Sequence, residues 1–245
     1  AWRPKCVTPA LSQLRKSGLM SLENARGVMS AERISKLQAV ADAASAYSAS
    51  ARSAVKARVS TGGKLDRRAI DREQHLVHGL AWVARWNGQT AGPLPFTVAQ
   101  HSVLVERFCG ALRPEWPAKW RLAALLHDAP EFVIGDMISP FKAALGEGYR
   151  RIEHRLQQAV HLRFGLPAQL PDAIERAIKR ADRASAFFEA TQIAGFSLEE
   201  ARELFGAPRD VPATRIAVVS TEEAQAAYLA RFRVLLKSHE AARTR

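Results

Sequence analysis

The 245-residue chain is predicted to be all-α, and three observations carry that expectation. Apolar residues recur three and four apart in successive segments, the spacing that lines one face of a helix. Two capping-box patterns, Ser197-x-x-Glu200 and Ser220-x-x-Glu223, offer side chains to the orphan N–H groups of a helix start. No stretch alternates apolar and polar residues convincingly, and Arg215–Val219 comes nearest to a strand.

The elements follow in order. Residues 1–63 read as a basic, partly disordered extension: Ala31–Arg58 is rich in Ala and Ser and lacks large apolar residues after Tyr47, so a helix there would have little surface to bury. Ser60-Thr61-Gly62-Gly63 reads as a linker. A helical domain is expected over 64–206. From Leu65 to Ala84 the apolar positions Ile70, Leu76, Leu80 and Val83 give a helix, which delivers Arg85 and Trp86 into the turn-rich loop Asn87–Pro95. Thr97–Phe108 reads as a helix capped by Thr97, with His101 in its first turns. Arg121–Asp136 begins as a buried helix through Leu122, Ala123, Leu125 and Leu126. Further helices are expected at about Tyr149–Phe164 and Asp172–Ala194, then 198–205 and 221–238. The last lies in a segment, 207–245, expected to pack on the domain before it.

Composition sets outer bounds. Hydrophobic residues make up 47% of the chain, ample for a core. No apolar run approaches the ~20 residues of a membrane span, and no secretory pattern opens the chain, so a cytoplasmic protein without membrane contact is expected. Cys6 and Cys109 have no paired spacing and read as reduced thiols. The net charge of +12 could suggest nucleic acid, but its distribution argues otherwise. Residues 1–75 hold 14 basic against 6 acidic residues, whereas residues 76–206 hold 15 against 14. A near-neutral central segment gives no reason to expect a polynucleotide at its site.

The chemistry concentrates in RLAALLHDAPEFVIGD, Arg121–Asp136. An adjacent imidazole and carboxylate, His127 and Asp128, at the end of an apolar helix are costly to bury unless a cation pairs with them. Glu131 follows four and three residues later, on the same face if the helix persists; Pro130 could instead start a new turn, and either geometry keeps Glu131 close. Further donors come from His101 and from Asp182, a carboxylate out of place in the stripe Ile174, Ile178, Ala181, Ser185, Phe188. Together His101, His127, Asp128 and Asp182 suit one divalent ion, Mn, Co, Fe, Ni or Zn and also Mg, better than Ca. Such an ion lowers the pKa of a coordinated water. Glu131, not needed as a ligand, is free to handle a proton.

The order H…HD…D within helices resembles the HD superfamily of metal-dependent phosphohydrolases. HDxxE at 127–131 and GDxxSPxK at 135–142, with ARWNGQT…FTVAQHSVLV, YRRIEHRLQQAVHLRFGLP and KRADR, resemble the compact bacterial and phage HD hydrolases related to 5'-deoxynucleotidases. The likeness covers about residues 76–206. It implies an HD-domain helical bundle and an enzyme removing phosphate from small nucleotides, foremost deoxynucleoside 5'-monophosphates. It also implies catalytic roles for Glu131 and Asp128, a phosphate contact from Arg85, and a Trp86 ring against the sugar's 2' carbon. Asp136 would touch the sugar and Lys142 would face the phosphate. Enzymes of this kind are often homodimers, although one chain's sequence shows no interface.

Two rivals keep the same residues: a deoxynucleoside triphosphate triphosphohydrolase, and a non-catalytic nucleotide-sensing or partner-binding module. Cyclic-dinucleotide hydrolysis is disfavoured because the extra histidines and the GYP sequence are absent. His75, His78, His154 and His161 read as structural, and Trp116 and Trp120, beside Pro114 and Pro117, as plugs of a helix junction.

Overall fold

Thr97, Ser197 and Ser220 each begin a helix in the way their side chains allow, by accepting a hydrogen bond from the backbone N–H three residues on. The computed structural model describes residues 73–137 and 139–244, and among these every regular element is helical. The α-helices are α1 (Glu73–Trp82), α2 (Val98–Leu112), α3 (Ala118–Leu125), α4 (Glu131–Ile134), α5 (Ser139–Arg163), α6 (Asp172–Gln192), α7 (Leu198–Phe205) and α8 (Thr221–Arg243). A 3-10 turn lies at Trp86–Gly88. The protein is thus all-α over the described residues. The expected extension at 1–63 and the start of the Leu65–Ala84 helix lie outside them.

One segment keeps to the all-α expectation and one helix start changes. Arg215–Val219 is extended but pairs with no strand. Its backbone is held by glutamine side chains of neighbouring helices: Gln192 accepts from Ile216 N (2.9 Å) and donates to Thr214 O (2.7 Å), and Gln100 donates to Ala217 O (3.2 Å). The alternation in sequence reflects half-burial of Ile216 and Val218 against the helical surface, not a ladder. The helix expected from Tyr149 starts ten residues earlier, at Ser139, because Pro140 sits in the first turn where its missing N–H costs nothing. It is broken at Gly146, whose φ of 67° suits a residue without a Cβ.

Helix α2 is the centre, packing against α1, α3, α6 and α8. Its buried residues lie all round it, Val98, Ala99, Leu104, Val105, Phe108 and Cys109 with the polar His101, Ser102 and Glu106 among them. Leu122 to Leu126 at the end of α3 are fully buried beneath it. Helix α8 closes the core with Tyr228, Phe232 and Leu235, and Tyr228 donates its hydroxyl to Leu125 O at 3.0 Å. Buried Glu106 accepts from Arg231 at 2.6 and 2.9 Å and also pairs with Arg121, which joins α2, α3 and α8. Lys119 lies over the Trp120 ring at 4.5 Å, and Trp116 packs against the core edge. Among the described residues no helix is long and apolar enough to cross a membrane.

Candidate metal centre

Three chain segments meet beside α2. Thr97 caps α2 through Gln100 N, which sets His101 one turn in, facing α6. Helix α3 stops at Leu125, and the chain turns through Leu126–Pro130, so His127 and Asp128 stand just past the helix end. Of the two geometries left open at Pro130, the structure has the new turn: Pro130 precedes α4, and Glu131 N bonds back to Asp128 O at 3.0 Å. Helix α6 brings Asp182, Ser185 and Glu189 on one face.

His101 Nε2 lies 3.2 Å from His127 Nε2, 3.3 Å from Asp128 Oδ2 and 3.4 Å from Asp182 Oδ1. His127 Nε2 is 3.2 Å from the same Asp128 oxygen. Ligand atoms of His101, His127 and Asp128 fall within 4.8 Å of one another, a group able to hold a metal ion, and Asp182 adjoins it. The far nitrogens decide what the near ones present. His101 Nδ1 donates to Glu189 Oε1 at 2.6 Å, and His127 Nδ1 donates to Ala124 O at 3.0 Å. Each Nδ1 facing an obligate acceptor must carry a hydrogen, so Nε2 is the atom that each ring turns to the centre and offers to a cation once it is free of its own proton. The two Nε2 atoms and the Asp128 carboxylate converge, with Asp182 reaching only the His101 side, an arrangement that a cation reconciles. The donors fit a divalent ion, with nitrogen and oxygen mixed as transition metals prefer.

The electrostatics agree. Burial alone would lower the His101 pKa, and so would Arg85; Glu189, Asp128 and Asp182 outweigh them and hold it well above 6.5. Burial would raise Asp128 and Asp182, yet the two imidazoles hold both below the usual carboxylate range. A proton thus occupies the place that a cation would take. Glu131 behaves oppositely. Burial, then the neighbouring Asp128 and Asp136, push its pKa up to about 9, and its buried Oε2 has no partner. It is a carboxylic acid at neutral pH, on the wall of a cleft of about 690 Å³ that also includes His127 and Asp128. The opposite wall is α5, with Arg150, Arg151, His154 and Arg155.

The residues expected to bind substrate are placed differently from one another. Arg85 borders the centre, 3.6 Å from Asp128 Oδ2, but its Nε donates to Glu189 Oε2 at 2.9 Å. Trp86 donates Nε1 to the same oxygen at 2.8 Å, and its ring packs against Phe196 and Phe205. Lys142 pairs chiefly with Glu153 at 2.8 Å and lies 3.5 Å from Glu131. Asp136 follows Gly135, and burial, opposed by Arg85, raises its pKa. Glu189 and Glu153 are the partners that sequence reasoning did not single out. The signal for Glu189 is its position seven residues after Asp182, two turns along one face and inside the apolar run AFFEA. Of the other histidines, His161 is buried against Gln157 and Ala168 O, His154 bonds Gln158, and His78 meets Gln225 and Trp82.

No protein-family model matches the chain. An uncharacterized protein of Rhodobacter capsulatus is 54% identical over 177 residues, 71% of this chain and 90% of that one. The uncharacterized protein YfdR of Escherichia coli K12 is 32% identical over 82 residues, 34% of this chain and 42% of its own. Neither name states an activity. The first likeness shows common family: the chain belongs to the same family as the Rhodobacter protein.

Proposed function

We propose that this member of the Rhodobacter protein's family is an HD-type, metal-dependent phosphohydrolase of small nucleotides, foremost deoxynucleoside 5'-monophosphates. The observation that carries the reading is the convergence of His101 Nε2, His127 Nε2 and the Asp128 carboxylate, with Asp182 beside His101 and Glu131 on the adjoining cleft. The four acceptors would hold one divalent ion, which when bound supplies Lewis acidity toward water and a phosphoryl oxygen.

The chain's own groups do the rest. Arg85, anchored through Nε and close to Asp128, places a fixed guanidinium where phosphate oxygens would lie. Glu131 lines the cleft and burial holds its pKa above the usual carboxylate range, which suits it to donate to the leaving oxygen; help of this kind is worth roughly 10²–10⁴-fold. Glu153 and Glu131 hold Lys142 at the rim. Trp86, locked by its indole N–H, would be the ring set against a 2'-hydroxyl, as the resemblance implies.

The test is phosphate release from mono-, di- and triphosphates of all bases with Mn, Co or Mg, comparing the wild type with Glu131→Ala. Orthophosphate plus nucleoside, lost in the variant, is expected. Equal rates in the two proteins would overturn the role of Glu131, and no release from any substrate would favour a sensing or partner-binding module. One observation favours a second reading. Arg151 and Arg155 wall the same cleft beside Arg150, which Glu147 already engages, and would receive further phosphates, in which case tripolyphosphate is the product.

A further inference from the structure

We propose that Glu189 is a positioning residue that sets the metal ligand His101 and the substrate-side pair Arg85 and Trp86 with one carboxylate; this rests on the metal-centre reading above. Glu189 is fully buried, and each of its oxygens has two donors. Oε1 accepts from His101 Nδ1 at 2.6 Å and from Ser185 Oγ at 2.7 Å. Oε2 accepts from Arg85 Nε at 2.9 Å and from Trp86 Nε1 at 2.8 Å. Four donors match the roughly four lone-pair sites of a carboxylate, so the group is saturated.

The consequences run in two directions. Toward the metal, acceptance from Nδ1 fixes the His101 tautomer and ring plane, leaving Nε2 to coordinate. Toward the substrate, the other oxygen holds Arg85, in ordinary extended backbone, and Trp86, whose φ of 57° is costly for a bulky side chain and needs the surroundings to enforce it. The indole bond to Glu189 and the packing on Phe196 and Phe205 act there together with the backbone bonds of the turn, Gly88 N to Arg85 O and Gln89 N to Trp86 O. Asp182 and Glu189 ride on the same face of α6, so the helix that contributes a ligand also aligns the opposite side of the centre.

Glu189→Gln separates this role from bulk packing. A side-chain amide has one acceptor and one donor end, so either the His101–Ser185 pair or the Arg85–Trp86 pair must face an N–H. The experiment uses the full, metal-free chain titrated with Mn, free Mn being read by electron paramagnetic resonance without substrate. Glu189→Gln is expected to weaken Mn binding by about 10- to 100-fold. Glu106→Gln, which alters a buried carboxylate paired with Arg121 and Arg231, is expected to leave it unchanged. At saturating Mn, KM for a deoxynucleoside monophosphate should also rise in Glu189→Gln and not in Glu106→Gln.

A readout on the wild type covers the case of a variant that does not fold: a slowly exchanging, downfield Nδ1 proton of His101 in the nitrogen-15-edited spectrum. Equal Mn affinity in folded wild type and Glu189→Gln, or absence of that proton, overturns the proposal and leaves the hydrolase reading intact. A weakened Mn affinity without any hydrolysis by the wild type does the reverse. Failure of the wild type to bind Mn overturns both.

Discussion

Glu131→Gln should change the pH dependence of stability more than stability itself. The Glu131 carboxyl has a pKa near 4.5 when exposed in the unfolded chain and about 9 when folded. The folded protein therefore holds this proton more tightly. Its contribution to stability is fully present below pH 4.5 and is lost as pH rises toward 9, at about 1.4 kcal/mol per pH unit. Between pH 5 and 7 that is a loss of about 3 kcal/mol from this one group, a large share of the 5–15 kcal/mol that typically holds a domain together. Glutamine has the size of the neutral acid and no titration, so the variant should lack this slope. Urea unfolding at pH 5, 6 and 7 with chelator present, in wild type and variant, gives the difference directly. It should shift by about 3 kcal/mol in favour of the variant across that window. Titrating groups distant from Glu131 are common to both proteins and cancel between the two curves. Parallel curves would mean that Glu131 is ionised in the folded state and cannot be the proton donor assigned to it.

Added Mn should raise the thermal midpoint of the wild type, by about 2.7 kcal/mol of stability at a free concentration about 100 times Kd. Asp128→Asn, which removes an anionic donor, should abolish the shift; a wild-type midpoint indifferent to Mn would refute the metal centre. Tyr228→Phe leaves Leu125 O without its buried donor and should cost about 1–3 kcal/mol, read as a lower urea midpoint at unchanged slope. Gly135 has φ 76° and ψ 161°, a region nearly closed to other residues, and it turns the chain from α4 into Asp136. Gly135→Ala should cost about 1–3 kcal/mol by thermal unfolding, and a neutral result would show that this turn relaxes freely.

Several features were legible in one dimension because their causes are local. Thr97, Ser197 and Ser220 cap helices through bonds to N–H groups three residues away, so cap and partner are adjacent in sequence. His127-Asp128 stood out because a charge ends an apolar run, and Asp182 because it interrupts an apolar stripe. Arg85 and Lys142 were expected to face substrate, and their engagement by Glu189 and Glu153 could not be read. The Arg85 pair spans 104 residues, and nothing in sequence says which carboxylate a distant guanidinium will meet. Arg215–Val219 came nearest to a strand pattern because half-burial against helices produces the alternation that half-burial in a sheet would, and the all-α reading holds there.

Residue types, their helical spacing and their caps, all interactions within a turn or two, were enough to determine an all-α chain carrying two imidazoles and two carboxylates suited to a cation. Only the tertiary structure decided which nitrogen of each histidine bears hydrogen, which glutamate keeps its proton and which arginine is already engaged. Those properties depend on neighbours within a few ångströms, and packing, not chain order, supplies those neighbours.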